Sequence, residues 1–340
     1  MMKAVQIYGY TKKLEAHIND VPIPKINKHQ VLIKTKVAGV DPHLILAITG
    51  KVRVFDKYDF PLTLGNELSG EIESVGEAVT AFKKGDRVYA LMPLGTMGAF
   101  AQYVVADASI VAKMPKHLTF EEGAAVPLAA LTVVQALNVL NVKPGAKLFI
   151  SGGTGGFGQI AIPFARSKKL FVAVSGSESS RHLALSIGAD QFIDYQKQNY
   201  VEVLEDFDYV IDTRGVSEFR KELRILKPGG KLLSLNAVPN TRFAIQHGGF
   251  STMQRVLFGA NGMPFDMAAH IQRKTYDFLY VQPNGNQLKN IAQWIDEAGI
   301  KPTIDSIFAF SQVNEAIAKI AKGTAQGKIL MTIQEGETTT

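Results

Sequence analysis

The six residues Gly153-Thr154-Gly155-Gly156-Phe157-Gly158 follow the apolar run Lys147-Leu148-Phe149-Ile150-Ser151. They precede Gln159-Ile160-Ala161-Ile162-Pro163-Phe164-Ala165, whose apolar residues have helical spacing. A G-x-G-x-x-G pattern carries little information alone. Between a short strand and a helix opening at about Gly156, it describes a dinucleotide cradle. The first glycine allows the tight turn, the second lets the backbone approach a pyrophosphate, and the third packs helix against strand. The helix N-terminus then offers N–H donors and a positive dipole end to the phosphates. All six residues are therefore candidate cofactor contacts. Pro163 falls in the second turn, where it kinks a helix instead of starting one.

The choice of cofactor rests on the end of the second strand. A carboxylate about 20 residues past the glycines binds the ribose 2′-hydroxyl and favours NAD. The segment here is Ser175-Gly176-Ser177-Glu178-Ser179-Ser180-Arg181. Ser177 and Glu178 both lie within counting error of that position, so spacing alone leaves the choice open. Small hydroxyl residues with a guanidinium just beyond suit a 2′-phosphate better. Ser175, Ser177 and Arg181 are thus candidate contacts to NADP(H).

None of the 340 residues is cysteine, which excludes disulfides, Cys-ligated zinc, iron–sulfur clusters and thiol catalysis. The seven histidines, at 17, 29, 43, 117, 182, 247 and 270, contain no local ligand pair. Asp41, His43 and Glu67 could converge only through the fold, and the expectation is no metal. The formal net charge is +6, but basic residues come singly or in pairs such as Lys12-Lys13 and Lys83-Lys84. A nucleic-acid footprint needs a run or an aromatic-interleaved stripe. A polyanionic small ligand fits the charge as well as a lysine-rich surface does. The nearly uncharged stretch from Gly123 to Leu140 contains Pro127, Gln135 and Asn138. It reads as core, since a membrane span needs about 20 apolar residues. The chain begins with a strand-like pattern and no basic-then-apolar leader. A cytoplasmic chain with neither nucleic acid nor membrane as partner is expected.

The elements that must position these residues come in two textures. Residues 3 to about 114 show short strands and turns. Examples are Val31-Leu32-Ile33-Lys34-Thr35-Lys36-Val37, Glu71-Ile72-Glu73-Ser74-Val75, Arg87-Val88-Tyr89-Ala90-Leu91 and Phe100-Ala101-Gln102-Tyr103-Val104-Val105. From about Leu128 strands alternate with helices: strands at 147–151, 170–175, 191–193 and 209–212, and a helix over 180–187. Another helix is marked by Phe219, Leu223 and Leu226, and Pro228-Gly229-Gly230 stops it before a strand at 231–235. Such alternation predicts a doubly wound parallel sheet. Toward the end, 276–281 reads as a strand. Leu288, Ile291 and Ile295 mark a helix that stops at Gly299. A last helix carries Val313, Ala316 and Ile317 behind an N-cap at Ser311, and a final strand occupies 328–333. The tail 335–340 reads as frayed.

With these motifs in order, the chain resembles the medium-chain dehydrogenase/reductase superfamily, in its zinc-independent quinone oxidoreductase branch. Gly39-Val40-Asp41-Pro42, Leu64-Gly65-Asn66-Glu67-Leu68-Ser69-Gly70, Lys84-Gly85-Asp86-Arg87-Val88, Pro127-Leu128-Ala129-Ala130-Leu131-Thr132, Lys227-Pro228-Gly229-Gly230 and Gly327-Lys328 look like its landmarks. The resemblance implies an α/β chain: a Rossmann domain at 125–285 and a GroES-like, mostly β catalytic domain at 1–124, to which 286–340 returns. Zinc-dependent members place a metal-binding His where Asn66 stands. The branch implies hydride transfer from NADPH to a quinone or an α,β-unsaturated aldehyde or ketone. It also implies cofactor contacts at Thr132, Tyr195, Asn236 and Ala237, a homodimer paired through 276–281, and catalytic candidates Asp41 and Tyr58, the latter as proton donor. Enoyl-thioester reduction, and a non-catalytic RNA-binding or structural role, are the alternatives that it leaves.

Overall fold

The computed structural model describes residues 1–334, so the tail 335–340 lies outside the described residues. Two compact units divide the chain. The first is Met1–Leu131 with the segment from Gln282 onward, and the second is Thr132–Val281.

The first unit holds two sheets. In the smaller, Met2–Ile7 lies between His17–Val21 and Leu62–Thr63, antiparallel to both. The larger runs in the order Ile304–Phe308, Lys328–Thr332, Gln30–Val40, Glu67–Val75, Arg87–Leu91, Val111–Lys113, and Tyr103–Asp107 also pairs with Gln30–Val40. The eleven residues of Gln30–Val40 alternate little because they are buried from both sides over most of their length. Lys328–Thr332 pairs antiparallel with that strand, Ile329 opposite Val40 and Met331 opposite Ala38, so the chain's late segment is built into the unit's largest sheet. Val5, Ile33, Leu44, Ile48, Leu68, Val88, Phe100, Ile317 and Met331 are members of one continuous apolar core.

The second unit is a six-stranded, wholly parallel sheet. Its order is Gln191–Asp194, Phe171–Gly176, Lys147–Ser151, Phe207–Asp212, Leu226–Ser234, Thr275–Phe278. Connections run outward in both directions from Lys147–Ser151, which makes its carboxyl end the topological switch point where α/β sheets bind ligands.

Local readings differ in three places. Pro228-Gly229-Gly230 does not precede a strand; it lies inside Leu226–Ser234 as a bulge, where register jumps from Phe207 opposite Leu226 to Tyr209 opposite Lys231. Ser311 is not an N-cap. It sits in the 3₁₀ turn Phe310–Gln312, and the helix Val313–Lys322 starts beyond it without a side-chain cap. The strand expected at 276–281 is Thr275–Phe278.

The twenty-residue helix Thr252–Ile271 has no counterpart in the sequence reading. Gly259, Gly262 and Pro264 interrupt its pattern. A Cβ on Gly262 would lie 2.6 Å from the Asn240 backbone, and one on Gly259 2.8 Å from Thr241 Oγ1. These glycines are packing contacts and not breaks.

Candidate functional site

At the switch point, Gly152 makes the left-handed turn, with φ +69°, one residue earlier than the spacing predicts. Its N–H donates to Ser175 Oγ at 2.9 Å. Ser175, buried, therefore shapes the turn instead of reaching outward. Gly153 is small because a Cβ would lie 2.7 Å from the Ile150 side chain. A Cβ on Gly158 would lie 1.9 Å from the Gly153 carbonyl oxygen, so the helix Gly158–Ser167 begins in contact with the turn. That helix opens two residues later than expected, because Gly156 and Phe157 still belong to the turn. Thr154 folds back over the strand end, where a Cβ on Gly176 would strike it at 2.4 Å. At Gly155 a Cβ would meet nothing within 4 Å. Phe157 is the N-cap and supplies no side-chain capping hydrogen bond. Gln159 and Ile160 N–H donate to the Gly155 and Phe157 carbonyls at 3.3 and 3.2 Å, which leaves the Gly158 N–H at the helix end for an outside acceptor. Open space over Gly155 beside an uncapped helix N-terminus is the shape a pyrophosphate fits.

On one side of this turn, Arg181 lies over the Phe192 ring at 4.7 Å, and its Nε donates to Glu178 Oε1 at 2.6 Å. Lys197 Nζ donates to the other Glu178 oxygen at 3.2 Å. Two cations thus share one carboxylate. Their hydrogen bonds, Arg181 first and then Lys197, hold Glu178 down to about 2. Ser177 Oγ lies 3.0 Å from Ser179 Oγ, and the Tyr195 ring stands exposed nearby in sequence, its N–H on the Gly176 carbonyl at 3.2 Å. Lys197 is absent from the sequence reading; its signal was its place two residues past Tyr195.

At the other side, Asn236 N–H and Ala237 N–H donate to Ser234 Oγ at 3.2 and 2.8 Å. Asn236 Nδ2 donates to the Thr213 carbonyl at 2.7 Å. Thr132 is buried in the helix Pro127–Leu140.

In the first unit, Asp41 is the N-cap of the helix Pro42–Ile48, accepting from His43 N–H at 2.9 Å. Asn66 Nδ2 lies 3.1 Å from Asp41 Oδ2 and 3.2 Å from His43 Nδ1. One amide therefore bridges a carboxylate and an imidazole. Burial dominates at His43 and lowers its pKa, against the opposing pull of Asp41. Glu67 turns away, as strand alternation requires. It is fully buried, ion-paired with Lys328, and accepts Leu128 N–H at 2.8 Å. Asp41, His43 and Glu67 thus do not form one set. A zinc ion taken at His43 Nδ1 would have to displace the Asn66 amide hydrogen that this nitrogen accepts. Among the described residues no group of three or more His, Cys, Asp or Glu could hold a metal. These residues do not fit zinc. Tyr58 is buried, and its hydroxyl donates to the Leu94 carbonyl at 3.1 Å. Burial, then Asp56, pushes that phenol above its ordinary range.

Residues 27–116 match the family model described as alcohol dehydrogenase GroES-like domain, and residues 187–331 match the one described as zinc-binding dehydrogenase. The NAD(P)H oxidoreductase RTN4IP1, mitochondrial, of Danio rerio is 30% identical over 290 residues, covering 82% of this chain and 74% of that protein. The 2-methylene-furan-3-one reductase of Solanum lycopersicum is 30% identical over 336 residues, covering 95% and 76%. The structure of the quinone oxidoreductase from Coxiella burnetii superposes with TM-score 0.83 at 25% identity, over 98% of this chain and 99% of that one.

Proposed function

From the premise that this chain belongs to the medium-chain dehydrogenase/reductase superfamily, we propose that it is a zinc-independent oxidoreductase. It delivers hydride from NADPH to a quinone or an α,β-unsaturated aldehyde or ketone. The Asn66 amide between Asp41 and His43 carries this reading. With no Lewis acid to polarise an alcohol, the acceptor must already be electrophilic. The relatives' names, which include a furanone reductase and a quinone oxidoreductase, support the same class.

The bound nicotinamide supplies the hydride. The chain's residues hold and orient it. The turn from Gly153 to Gly158 receives the pyrophosphate. Ser177, Arg181 and Tyr195, joined by Lys197, receive the 2′-phosphate, and Thr132, Asn236 and Ala237 frame the ring. Arg181 and Lys197, which hold Glu178 here, would hold the 2′-phosphate of a bound cofactor in its place, a charge-assisted partner of the same sign. On the acceptor side, the Asn66 hydrogens go to Asp41 and to His43 Nδ1, which fixes the tautomer with hydrogen on His43 Nε2. A neutral imidazole of this kind stabilises a developing oxyanion by hydrogen bonding. Tyr58 is the proton donor in this reading, and its proton leaves only after the bond to Leu94 opens. The chain works as a cytoplasmic homodimer. Thr275–Phe278 is the edge strand of its sheet, paired on one side among the described residues. The helix Thr252–Ile271 exposes Met253, Val256, Met263, Met267 and Ile271, an apolar stripe of the kind that marks an interface.

The test is NADPH oxidation, followed by absorbance, with quinones, short enals and enones, and an enoyl thioester. Turnover with the first two classes, unchanged by a zinc chelator, is expected. Inertness toward both classes refutes the proposal, and preference for the thioester transfers the activity to acyl-chain reduction.

A further inference from the structure

Asp212 ends the strand Phe207–Asp212 fully buried, and its hydrogen bonds run to the turns at the sheet's carboxyl edge. Oδ1 accepts Arg214 N–H at 2.6 Å and Gly215 N–H at 2.8 Å, and Oδ2 accepts the Ser234 hydroxyl at 2.5 Å. Ser234 Oγ in turn accepts the N–H groups of Asn236 and Ala237. The Thr213 hydroxyl donates to the Ser151 carbonyl at 2.7 Å. One carboxylate therefore ties together the turns that follow two adjacent strands, and the next residue, Thr213, reaches the end of a third.

Behind it, the helix Phe219–Ile225 places the fully buried Glu222 against Asp212. Neither Glu222 oxygen has a hydrogen-bond partner of ordinary geometry. Two neighbouring buried carboxyls cannot both ionise. Asp212 has three donors to stabilise an anion and Glu222 has the Ser151 hydroxyl alone, so the proton resides on Glu222. We propose that Glu222 is a positioning residue that acts as a neutral acid: it donates its proton to Asp212 and so fixes the turn Asn236-Ala237 for cofactor binding.

The placement of the cofactor at that turn rests on the function proposed above, whereas the carboxyl pair itself does not. Burial first, then Asp212, pushes Glu222 up to about 9. Glu218 adds to this from the residue ahead of the helix. Ser151 faces Glu222 from the neighbouring strand, and Tyr200, whose hydroxyl donates to Glu218 at 2.9 Å, faces it from the helix Tyr200–Val203. Tyr276 faces Asp212 from the edge strand. Ionising Glu222 puts a second anion beside Asp212 and withdraws its donor.

Two measurements test this. Fluorescence titration of the wild-type protein with NADPH should show affinity falling above about pH 9, approaching tenfold per pH unit. Glu222→Gln keeps an N–H donor but cannot ionise, so it should match wild type at neutral pH and lose that alkaline limb. An alkaline loss that survives in Glu222→Gln, or that is absent from wild type, overturns the proposal. Infrared difference spectra of the cofactor-free protein across the same pH range should show a protonated-carboxyl band that Glu222→Gln removes, and its absence in wild type also overturns it. Failure of wild type to bind NADPH at neutral pH would count against the proposed function instead, while the infrared band would still decide whether Glu222 holds the proton.

Discussion

Lys328→Met removes the cation that faces Glu67 and leaves a fully buried carboxylate with the Leu128 N–H as its remaining hydrogen bond. Breaking one side of a buried ion pair costs about 3–5 kcal/mol. A second route limits that cost, because Glu67 can take up a proton. Starting from the ordinary value of 4.5, neutralising it at pH 7 costs about 1.4 kcal/mol per pH unit, or about 3.5 kcal/mol in all. The expected loss at neutral pH is therefore about 3–3.5 kcal/mol. It has a definite pH sign. Burial raises Glu67, and losing Lys328 raises it further, so stability is fully present below the unfolded pKa and declines as pH rises. At about pH 5 the variant should lie within about 1 kcal/mol of wild type. Trp294 is the chain's single tryptophan and belongs to the first unit. Its fluorescence during urea unfolding reads this unit directly. Glu67→Gln added to Lys328→Met should recover most of the loss at pH 7. A cost below about 1 kcal/mol at neutral pH, or an equal cost at both pH values, refutes the reasoning.

The other expectations concern the cofactor, the acceptor and the interface. Arg181→Ala combined with Lys197→Ala should raise KM for NADPH by about tenfold or more while leaving NADH kinetics unchanged; equal effects on both cofactors in steady-state assays would contradict a 2′-phosphate role. Gly158→Ala should abolish tight NADPH binding in a fluorescence titration, since its Cβ must move the Gly153 carbonyl from 1.9 Å. Tyr58→Phe should cut turnover severely with little change in thermal unfolding; the reverse pattern would assign the hydroxyl to holding Leu94 in place. Met263→Glu with Met267→Glu should convert a dimer to monomers in analytical ultracentrifugation, and an unchanged sedimentation coefficient would remove the exposed stripe from the interface.

The strands were readable wherever periodicity and turn residues agreed. Arg87–Leu91 and Lys147–Ser151 stand where the sequence puts them, and the alternation after Leu128 is the parallel sheet. Thr252–Ile271 was hidden because Gly259 and Gly262 look like helix breaks in one dimension and are clearances for Asn240 and Thr241 in three. The same blindness affected the site. Glycine spacing located the turn between Lys147–Ser151 and Gly158–Ser167, yet it could not say that Gly152 takes the left-handed position or that Ser175 supports it. Asn66 stood out in the sequence as a non-ligand; that its amide joins Asp41 to His43 required the fold. Asp212 and Glu222 carried no signal at all, since an acidic residue ending a strand and another one turn into a helix look like ordinary surface until burial is known.

The strand Lys328–Thr332 also dictates an order of events at the ribosome. The second unit is one uninterrupted stretch, so it can complete its sheet as soon as residue 281 has emerged. The first unit cannot. Its longest strand, Gln30–Val40, waits for a neighbour synthesised nearly three hundred residues later, with Ile329 opposite Val40, and the Glu67 carboxylate waits for its lysine. Until then the earlier strands stand with an open flank, the state in which intermolecular strand pairing is easiest. Nascent chains stalled before Lys328 should therefore hold a finished cofactor-domain sheet beside a first unit that depends on chaperones.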